Sequence, residues 1–585
     1  MAKTDTQTVG RLLQEYARRA ALRGGNPYSA KAYARAAENL TALAEPLGEL
    51  VAEGRLQEIP GIGNSIADII TKLHRTGTHP SLEAMRKEVP AGVLELMDVP
   101  GLRPDKVMKL YKTLGISSLA ELEQAARDDR IKGTQGLGAS LQTKILNNIE
   151  IAKSGENRRH VHRAAALLDS ALKRIKAAKP DLKRVTVAGD LRRGCELIGD
   201  LALVAEADRL DDGPKALTPS GELNVHLADR EHYGASLLFA TGSAAHIEAL
   251  KVLAGRKGFT LHERGFRRGR KLVAAKTEEQ IYKALELPFI EPELREDGSE
   301  IALALERKLP KLVSDADIRG ILHAHTDRSD GVDTLAAMAA ATRKRGYQYF
   351  GVADHSKSAH YAGGLSVAEI REQHREINKL NKGFGKDFRI FKGIESDILE
   401  DGSLDYPKSV LARFDFVVAS VHSRFKLGRK EQTERIIRAV SHPRTTILGH
   451  MTGRQLLRRP GYDVDIEKVL KACAKHGVAV EINANPWRLD LDWRWHRRAL
   501  ELGCMMSINP DAHSTNEIDL THWGVQMARK GGVPTDRILN CLPLAEFTRF
   551  LRLKKKQDRT RTRHGSTLMG ARRHSRSTNR SRTHR

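Results

Sequence analysis

From residue 316 to about residue 550, probable strands alternate with helix-like stretches, and six of the seven strands end in a histidine, an acid or both. The strands read RGILHAH, YQYFGVADH, FRIFKGIES, FDFVVASVH, TTILGH, VAVEIN and MMSINPDAH, and segments such as TLAAMAAATRKRG and DIEKVLKACAKHG separate several of them. This alternation is typical of a β/α barrel with parallel strands. In such a barrel the carboxyl ends of the strands converge on one face, where active sites are built.

The polar residues at these strand ends are spaced as metal ligands. His323 and His325 stand two positions apart, which places both side chains on the same side of a regular strand, and Asp511 and His513 repeat the spacing. The complete set of strand-end donors is His323, His325, Asp330, His355, Glu395, His422, His450, Asp511 and His513. So many nitrogen and oxygen donors exceed what one tetrahedral zinc needs and suit roughly two or three Zn²⁺ or Mn²⁺ ions. Such a site activates water against a phosphoryl group, so we predict phosphoester hydrolysis.

This region resembles the PHP (polymerase and histidinol phosphatase) domain and matches its ligand pattern at all nine positions just named. The resemblance implies a distorted seven-stranded β/α barrel with a trinuclear metal site. In members fused to a polymerase it implies Mn²⁺-dependent 3′-to-5′ exonuclease activity. We therefore expect the nine donors to be metal ligands and catalytic groups, with Mg²⁺ as a further candidate metal. His360, His442 and His476 match no ligand position, and we interpret them as structural or surface residues.

The chain has 585 residues and a net charge of +25, which favours a polyanionic partner. About half of the excess lies in the tail, where thirteen Lys and Arg residues from Arg552 onward oppose the single acid Asp558. We expect this tail to be disordered. Four scattered cysteines argue against a disulfide framework or a cysteine zinc finger. Without a signal peptide or an apolar run of about 18 residues, a soluble cytoplasmic protein at the nucleoid is expected, with no membrane contact.

The first 158 residues are helical by pattern and contain one short unit three times: IPGIGNSIADII (59–70), VPGLRPDKVMKL (99–110) and TQGLGASLQTKI (134–145). Each unit has a tight glycine-containing turn before an amphipathic helix, which is the helix-hairpin-helix pattern. Backbone N–H groups at the start of the helix can face a phosphate. We predict contacts with the DNA backbone, independent of base sequence, at Gly61, Gly63, Gly101, Gly136 and Gly138.

Residues 159–245 contain the strand candidates RVTVAG, DLALVAEA and ELNVHLA. The turn GDLRRG (189–194), the stretch GASLLFATGSAAHIEAL and the helix NPYSAKAYARAAENL complete a resemblance of the whole chain to a bacterial family X DNA polymerase. The resemblance implies a nucleotidyltransferase palm and a thumb. The nucleotide- and DNA-binding residues that it implies here are Gly189, Arg192, Arg193, Thr241, Gly242 and Ser243.

The catalytic carboxylates of that family are depleted in this chain. The family holds two metal ions with three aspartates, and the matching residues here are Asp200, Ala202 and Asn224. Ala202 cannot bind a cation, and the neutral amide of Asn224 is a poorer ligand for a hard cation than a carboxylate. Glu206 lies four residues past Ala202, too far along the strand to substitute well.

Asp190 follows Gly189 where the family usually has serine after the glycine, so a negative charge faces the triphosphate. Two unit charges about 4 Å apart repel by roughly 4 kcal/mol at an effective dielectric near 20. Together with the missing carboxylates, this predicts that nucleotidyl transfer is lost or severely weakened.

The lyase site that some family members carry in the first domain is also altered. Ile69 stands where the Schiff-base lysine is expected and Ser65 where a nearby lysine is expected. Isoleucine cannot form an imine, and Lys72 is displaced by most of a helical turn, so we predict no lyase activity by this route.

The predicted architecture is multidomain, with all-α helix-hairpin-helix modules, an α+β palm and thumb, and the PHP barrel. The expected ranges are a helical DNA-binding domain at 1–85, a second helix-hairpin-helix domain at 86–158, a nucleotidyltransferase-like palm at 159–245, a thumb and linker at 246–315, the PHP domain at 316–552 and the basic tail at 553–585.

The leading interpretation is a DNA-repair protein whose barrel hydrolyses phosphodiester bonds at 3′ ends while the front modules bind gapped or 3′-ended DNA. One alternative is an active gap-filling DNA polymerase with a PHP proofreader, against which Ala202 and Asn224 argue. A second is a small-molecule phosphatase of the histidinol-phosphatase type, which the hairpins and the basic charge oppose. A third is a non-catalytic DNA scaffold, which requires a dead metal site. A monomer is expected.

Overall fold

The computed structural model describes residues 4, 6–24, 27–41, 47–155, 158–208 and 223–555. The chain forms two compact units, one of Met1–Leu182 with Gln455–Pro460 and one of Lys183–Arg454 with Gly461–Arg585. Residues 556–585, which make up most of the predicted disordered tail, lie outside the described ranges. Among the described residues, no helix has the length and apolar character needed to cross a membrane.

The first unit is helical, as predicted. Its helices are Thr6–Arg23, Pro27–Thr41, Leu47–Ala52, Asn64–Thr76, Pro80–Glu88, Ala91–Glu95, Pro104–Leu114, Leu119–Arg127, Gly138–Gly155 and Val161–Ala178. One apolar core lies around the first hairpin and includes Ile59 and Ile70. A second core joins the later two hairpins through residues such as Val107, Leu110 and Ile145.

The glycine turns of the three hairpins use left-handed backbone conformations. The φ angle is +81° at Gly61, +75° at Gly101 and +80° at Gly136, a region that glycine enters without the steric cost of a Cβ atom. A helix begins within three residues after each of these glycines. The turn therefore directs the backbone sharply into the following helix.

The second unit begins with a three-stranded sheet. Its central strand Ala202–Glu206 pairs antiparallel with Val185–Ala188 and parallel with Asn224–Ala228. These strands correspond to the three predicted in this region. The helices Gly189–Arg192, Tyr233–Thr241 and Ala244–Arg256 belong to the same part of the chain.

A smaller antiparallel sheet follows, formed by Thr260–His262, Gly265–Arg268 and Lys271–Ala274. The helices Glu278–Ala284 and Ser299–Leu305 accompany it. Buried Phe266, Ile281 and Tyr282 belong to the core that joins these elements. The region expected to form the thumb and linker thus combines a small sheet with helices.

All strand pairs of the carboxy-terminal region are parallel. One sheet has the order Arg389–Lys392, Tyr349–Val352, Gly320–Ala324, and the other has the order Glu395–Asp397, Val418–Ser420, Ile447–Leu448, Ala479–Asn483, Met506–Asn509. The predicted segment FRIFKGIES is divided at Gly393 and Ile394, so that its two halves pair in different sheets. Two isolated parallel bridges join the two sheets and close a barrel: Ala324 pairs with Ala512, and His355, which follows the strand Tyr349–Val352, pairs with Glu395.

Helices cover the barrel: Leu335–Lys344, Val367–Phe384, Lys408–Leu411, Arg429–Ser441, Ile466–His476, His496–Glu501, Thr521–Lys530 and residues 544–555. Local sequence explains where several begin and end. The side chain of Thr334 accepts from the backbone of Ala337 and that of Asp465 from Lys468, which caps two helix starts. The helix that begins after Asp465 ends at Gly477 in a left-handed conformation.

Candidate metal centre

Nine polar side chains at the ends of the barrel strands converge into one cluster. Their nitrogen and oxygen atoms form four overlapping groups whose members all lie within 4.8 Å of one another. The groups are His325, Asp330, His355 and His513; His323, His450 and Asp511; His323, His325 and Glu395; and His355, Glu395 and His422. The structure thus brings together all nine residues that the sequence pattern selected.

Glu395 lies at the middle of the cluster, with its side chain only 1 % exposed. Its Oε1 is 3.3 Å from His323 Nε2 and 3.0 Å from His450 Nε2, and its Oε2 is 3.0 Å from His355 Nδ1. One carboxylate therefore contacts imidazoles from several strands. This geometry suits a carboxylate shared between neighbouring cations.

Asp330 belongs to the part of the cluster that faces solvent, with 34 % of its side chain exposed. Its Oδ2 is 3.5 Å from His355 Nε2, and its Oδ1 is 3.4 Å from His513 Nε2 and 3.7 Å from His325 Nδ1. The aspartate from the TDRSDG loop therefore closes the set of donors on the open side.

The regular strand alternation expected at His323 is wrong. The pairing register between Gly320–Ala324 and Tyr349–Val352 shifts there, and His323 has a φ of +55°. A bulge of this kind re-aims a side chain, and a left-handed non-glycine residue stores strain at a functional site. The rings of His323 and His325 both still contact Glu395. The bulge at His323, and not a regular alternation of side chains, accounts for this arrangement.

The buried donors of the cluster fit metal ions because several lack hydrogen-bond partners. The unpaired buried atoms include His323 Nε2, His325 Nδ1, His355 Nδ1, Glu395 Oε2 and His450 Nδ1. A buried polar atom without a partner costs free energy, and coordination to a cation removes that cost. Imidazole nitrogens mixed with carboxylate oxygens are donors that suit Zn²⁺ and Mn²⁺.

Glu481 contacts two residues of the cluster and was not among the residues selected from the sequence. Its Oε1 lies 2.5 Å from His323 Nδ1 and accepts from Asn509 Nδ2 at 2.8 Å. Its Oε2 accepts from the backbone N–H of His450 at 2.6 Å. A carboxylate that takes the second ring N–H of a ligand histidine fixes its tautomer and orientation. The available signal was one acid inside the strand VAVEIN, whose other residues before Asn483 are apolar.

Two further acids that the sequence pattern did not select hold the site in place. Asp397 Oδ1 lies 2.7 Å from His422 Nδ1. Asp354 is fully buried and accepts from the backbone N–H and the hydroxyl of Thr326, both at 2.7 Å, and from Ser329 Oγ at 2.6 Å. These bonds fix the loop that carries Asp330.

The electrostatics of the cluster separate charged from neutral donors. Burial opposes ionisation of Glu395, but His422 and His323 outweigh it and hold its pKa well below the usual range. Burial likewise disfavours the charged form of His422, yet Glu395 and Asp397 raise its pKa to about 10. Burial and neighbouring histidines lower the pKa of His325 to about 3. The central carboxylate is therefore anionic, which attracts cations.

Arg488 adds a positive charge at the edge of the cluster. It belongs to the loop after the strand Ala479–Asn483, and its Nε is 3.7 Å from Asp511 Oδ2. The Arg488 side chain is 19 % exposed, so part of it is accessible to solvent. It was not selected from the sequence, because one arginine in a loop carries no local signal.

The three predicted polymerase metal positions also lie together, in the palm. Ala202 is buried and directly opposite Asn224 in the parallel pairing. Asn224 Nδ2 donates to Asp200 Oδ1 at 2.6 Å. A methyl group on Gly189 would lie 3.3 Å from Ala202 Cβ and 3.4 Å from Asp200 Oδ2. Among these three positions, only Asp200 has a carboxylate, and one oxygen of that carboxylate already accepts a hydrogen bond from the amide of Asn224.

The like-charge expectation for Asp190 requires correction. Its Oδ1 accepts from Arg193 at 2.5 Å and its Oδ2 accepts from the backbone N–H of Gly199 at 3.0 Å. The carboxylate is thus neutralised within its own turn. Glu206 lies at the far end of the strand Ala202–Glu206 and pairs with Arg184, so it does not replace a missing ligand.

The other predicted nucleotide-binding side chains have protein partners. Arg192 forms a two-pronged ion pair with Glu278, at 2.9 and 2.6 Å, and its NH1 donates to Thr241 Oγ1 at 2.8 Å. Ser243, which follows Gly242, caps the helix Ala244–Arg256. The side chains of Arg192, Thr241 and Ser243 thus form hydrogen bonds with other groups of the protein.

Arg193 links the same turn to the barrel. Its Nε contacts Glu296 Oε1 at 3.1 Å, and Glu296 Oε1 also accepts from Lys530 Nζ at 2.5 Å. Lys530 Nζ in turn donates to the backbone carbonyl of Arg193 at 2.9 Å. The turn predicted to meet a triphosphate is held by a network of ion pairs.

The hairpin turns carry polar side chains from neighbouring helices. Asn39 Nδ2 donates to the carbonyl of Pro60 at 2.6 Å and Asn148 Nδ2 to that of Pro100 at 2.9 Å. Lys106 Nζ donates to the carbonyl of Gly136 at 3.0 Å. Gly63 caps the first helix with an extended backbone, and Gly138 begins the third at a φ of +77°. The predicted turns thus carry basic or amide groups.

At the predicted lyase position, Ile69 is 5 % exposed and belongs to the first apolar core. Ser65 is exposed, and Lys72 Nζ forms a 2.7 Å ion pair with Asp68. The side chain that would have to form the imine is thus part of the core.

Comparison with known proteins identifies four family models along the chain. They are a helix-hairpin-helix domain at residues 5–79, a SAM-like helix-hairpin-helix tandem at 93–149, the DNA polymerase beta thumb at 236–296 and the PHP domain at 322–485. Their order along the chain follows the order of the predicted modules.

Relatives divide into two kinds. A Bacillus subtilis (strain 168) protein named DNA polymerase/3′-5′ exonuclease PolX is 32 % identical over 567 residues, which cover 93 % of this chain and 98 % of that protein. A probable phosphatase of Thermoanaerobacter sp. (strain X514) is 27 % identical over 252 residues, 40 % of this chain and 95 % of that protein. A probable phosphatase of Vibrio parahaemolyticus is 28 % identical over 249 residues, 40 % of this chain and 93 % of that protein.

Proposed function

We propose that this chain, which belongs to the PHP-containing family X DNA polymerases, is a DNA-repair enzyme whose barrel removes nucleotides from DNA 3′ ends. The observation that carries the proposal is the convergence of nine residues with metal-type donors, Glu395 among them, with several buried nitrogen and oxygen atoms that lack a hydrogen-bond partner. Phosphodiester hydrolysis is the reaction that such a centre supports best.

The cofactors we propose are two or three divalent ions, with Mn²⁺ or Zn²⁺ favoured and Mg²⁺ as a further candidate, held by the nine residues of the cluster. Ions bound there supply Lewis-acid activation of the phosphoryl group and lower the pKa of the attacking water. Glu395 presents both carboxylate oxygens to the centre. Glu481 and Asp397 hold the Nδ1 protons of His323 and His422, which leaves each Nε2 directed at Glu395.

Arg488 has the position of a phosphate-binding group. Its guanidinium lies beside Asp511 at the partly exposed edge of the cluster. Guanidinium groups bind phosphate oxygens through directional, charge-assisted hydrogen bonds. We therefore propose that Arg488 binds and orients a nonbridging oxygen of the scissile phosphodiester.

The front modules supply the contacts with DNA in this proposal. The hairpin turns offer backbone N–H groups at helix starts, and the chain carries a net charge of +25. Such contacts act on phosphates and carry no sequence information, which suits an enzyme that acts at gaps or 3′ ends. With DNA as the proposed substrate, the location we propose is the nucleoid.

We further propose that DNA synthesis by the palm is lost or severely weakened. The support is the single carboxylate Asp200, its hydrogen bond to Asn224 and the buried methyl of Ala202 at the position of a ligand. Two-metal catalysis needs ligands that clamp both ions. The palm would then contribute to DNA binding and not to nucleotidyl transfer.

A paired assay tests both parts of the proposal. Labelled gapped DNA is incubated with the full chain in Mn²⁺ or Mg²⁺, with and without dNTPs, and strand length is measured over time. We expect shortening by the wild type, about a 10³-fold loss in His323→Ala because several kcal/mol of stabilisation disappear, and little extension. Primers that lengthen with dNTPs and never shorten would refute the proposal and favour the gap-filling polymerase.

A phosphomonoesterase is a second candidate for the same site, because relatives named as probable phosphatases match 40 % of this chain over most of their own length. Comparing kcat/KM for a 3′-phosphorylated oligonucleotide, a 3′-hydroxyl oligonucleotide and a small phosphomonoester separates the candidates. Preference for the 3′-hydroxyl DNA supports the exonuclease, and preference for the small ester supports the phosphatase.

A further inference from the structure

Tyr361 is an exposed aromatic side chain beside the metal centre. It is 72 % exposed, and the centroid of its ring lies 6.2 Å from that of His355 and 6.5 Å from that of His422. Isolated exposed apolar side chains are common and need no function. The significance of Tyr361 therefore depends on how firmly it is held there and on what surrounds it.

The loop that carries Tyr361 is held by its own backbone. A parallel bridge joins Ser356 to Leu365, so the segment between them closes on itself. Gly364 packs so tightly on this closure that a Cβ atom would lie 1.9 Å from the carbonyl oxygen of Ser356. Tyr361 itself lies in the short helical turn His360–Ala362 inside the closed segment. The ring is thus presented on a preorganised support.

Asp397 ties this loop directly to the metal centre. Its Oδ2 accepts from Ser358 Oγ at 2.8 Å, while its Oδ1 holds His422 Nδ1 at 2.7 Å. The backbone N–H of Ser358 donates to Asp405 Oδ2 at 2.6 Å. The position of the Tyr361 loop and the orientation of a ligand histidine therefore depend on one carboxylate.

The neighbouring loop adds a second exposed apolar side chain. Val332, two residues after Asp330 in the sequence, is 75 % exposed. Its backbone N–H donates to the carbonyl of His513 at 2.8 Å, so Val332 lies next to the cluster. A methyl group on Gly363 would lie 3.4 Å from the carbonyl oxygen of Ser329, so the two loops adjoin. An apolar rim thus borders a cluster of charged donors.

We propose that Tyr361 stacks on the nucleobase of the 3′-terminal nucleotide while the 5′ phosphate of that nucleotide lies at the metal centre. The inference rests on the proposed exonuclease function and adds the feature of the substrate that the barrel recognises. In a nucleotide, one sugar separates the base from the 5′ phosphate. The ring of Tyr361 lies 6.2 Å from that of His355 and 6.5 Å from that of His422, so it is near enough to contact the base of a nucleotide whose phosphate is at the cluster. Stacking accepts every base, because all four present an aromatic face.

A double-mutant cycle between the ring and the base tests this inference. We measure kcat and KM in Mn²⁺ for single-nucleotide release from DNA with an ordinary 3′ nucleotide and from the same DNA ending in an abasic tetrahydrofuran nucleotide. Loss of one stacking partner should lower kcat/KM about tenfold, mostly through KM. We expect this loss for Tyr361→Ala on the ordinary end and for the wild type on the abasic end, with no further loss when both are absent.

Conservative variants separate stacking from a structural role. Tyr361→Phe and Tyr361→Trp should retain wild-type kcat/KM on the ordinary end, whereas Tyr361→Leu should behave as Tyr361→Ala. Leu305→Ala, which removes another exposed apolar side chain outside the barrel, should change neither substrate.

Equal losses on both ends in Tyr361→Ala, or rescue by Tyr361→Leu, would overturn the stacking role while leaving the exonuclease intact. Wild-type kcat/KM for Tyr361→Ala on the ordinary end would also overturn it. A wild type that releases no nucleotide from either end refutes the proposed function itself, and the inference with it.

Discussion

The barrel and the palm each gather residues at the positions of a metal site, but the two sites satisfy their polar groups differently. In the barrel, buried atoms such as His323 Nε2 and Glu395 Oε2 lack hydrogen-bond partners. In the palm, Asp200 bonds Asn224, and Asp190 bonds Arg193. In the palm, an amide already donates to the carboxylate of Asp200, whereas in the barrel several buried donors have no hydrogen-bond partner and would gain by coordination.

The supporting residues show the same contrast. Behind the barrel cluster, Glu481 and Asp397 orient ligand histidines toward the centre. In the palm, Arg192 forms an ion pair with Glu278, and Lys530 contacts Glu296, which also contacts Arg193 of the turn. The difference teaches that two sites in one chain can both bring polar residues together while their side chains are paired in different ways.

Among the variants that test the contrast between the barrel and the palm, Glu481→Gln is expected to have the largest effect. The amide keeps the shape but loses the charge that holds His323 Nδ1, so metal affinity or exonuclease activity should fall about 10–100-fold. Metal content of the purified protein and kcat/KM on 3′-ended DNA are the measurements. Glu467→Gln, a surface change with ion pairs to Lys471 and Arg498, serves as the control. Unchanged metal content and activity would show that the supporting layer does not matter.

The second effect is expected for the double variant Ala202→Asp with Asn224→Asp. It restores two carboxylates at adjacent positions of paired strands, beside Asp200. We expect dNTP incorporation to rise at least about tenfold while 3′ degradation is unchanged, because restored ligands act only in the palm. Ala202→Asp alone, which leaves the amide of Asn224 on Asp200, should give less. Extension equal to the wild type would mean that the missing carboxylates are not what limits the palm.

The smallest effect is expected when Asp190→Ser is added to that double variant. An uncompensated like charge of roughly 4 kcal/mol would correspond to a change of about 10³-fold on its removal. Since Arg193 and the backbone of Gly199 already neutralise Asp190, we expect dNTP incorporation to change by less than about threefold. A gain in dNTP incorporation near 10³-fold would instead mean that Asp190 repels the triphosphate, as the sequence suggested, and that Arg193 and Gly199 do not neutralise it.

The candidate ligand set of the barrel was predictable because all of its residues except Asp330, which lies in a loop, are at or near a strand end, where parallel topology forces convergence. His355, His422 and His450 follow their strands closely and needed no further information. Glu481, Asp354 and Arg488 were not predictable, since each is a single polar residue whose meaning depends on partners distant in sequence. Asp354 becomes the anchor of the Asp330 loop only once Thr326 and Ser329 lie against it.

The sequence by itself determined the order of modules, the parallel barrel and the depletion of palm carboxylates, because these follow from local periodicity, strand-end chemistry and residue identity. Only the tertiary structure decided that a bulge aims His323 inward, that Asp190 is neutralised and that Tyr361 stands on a fixed loop at the rim. The physical reason is that hydrogen bonding and charge compensation depend on distances between groups far apart in the chain, which no local pattern encodes.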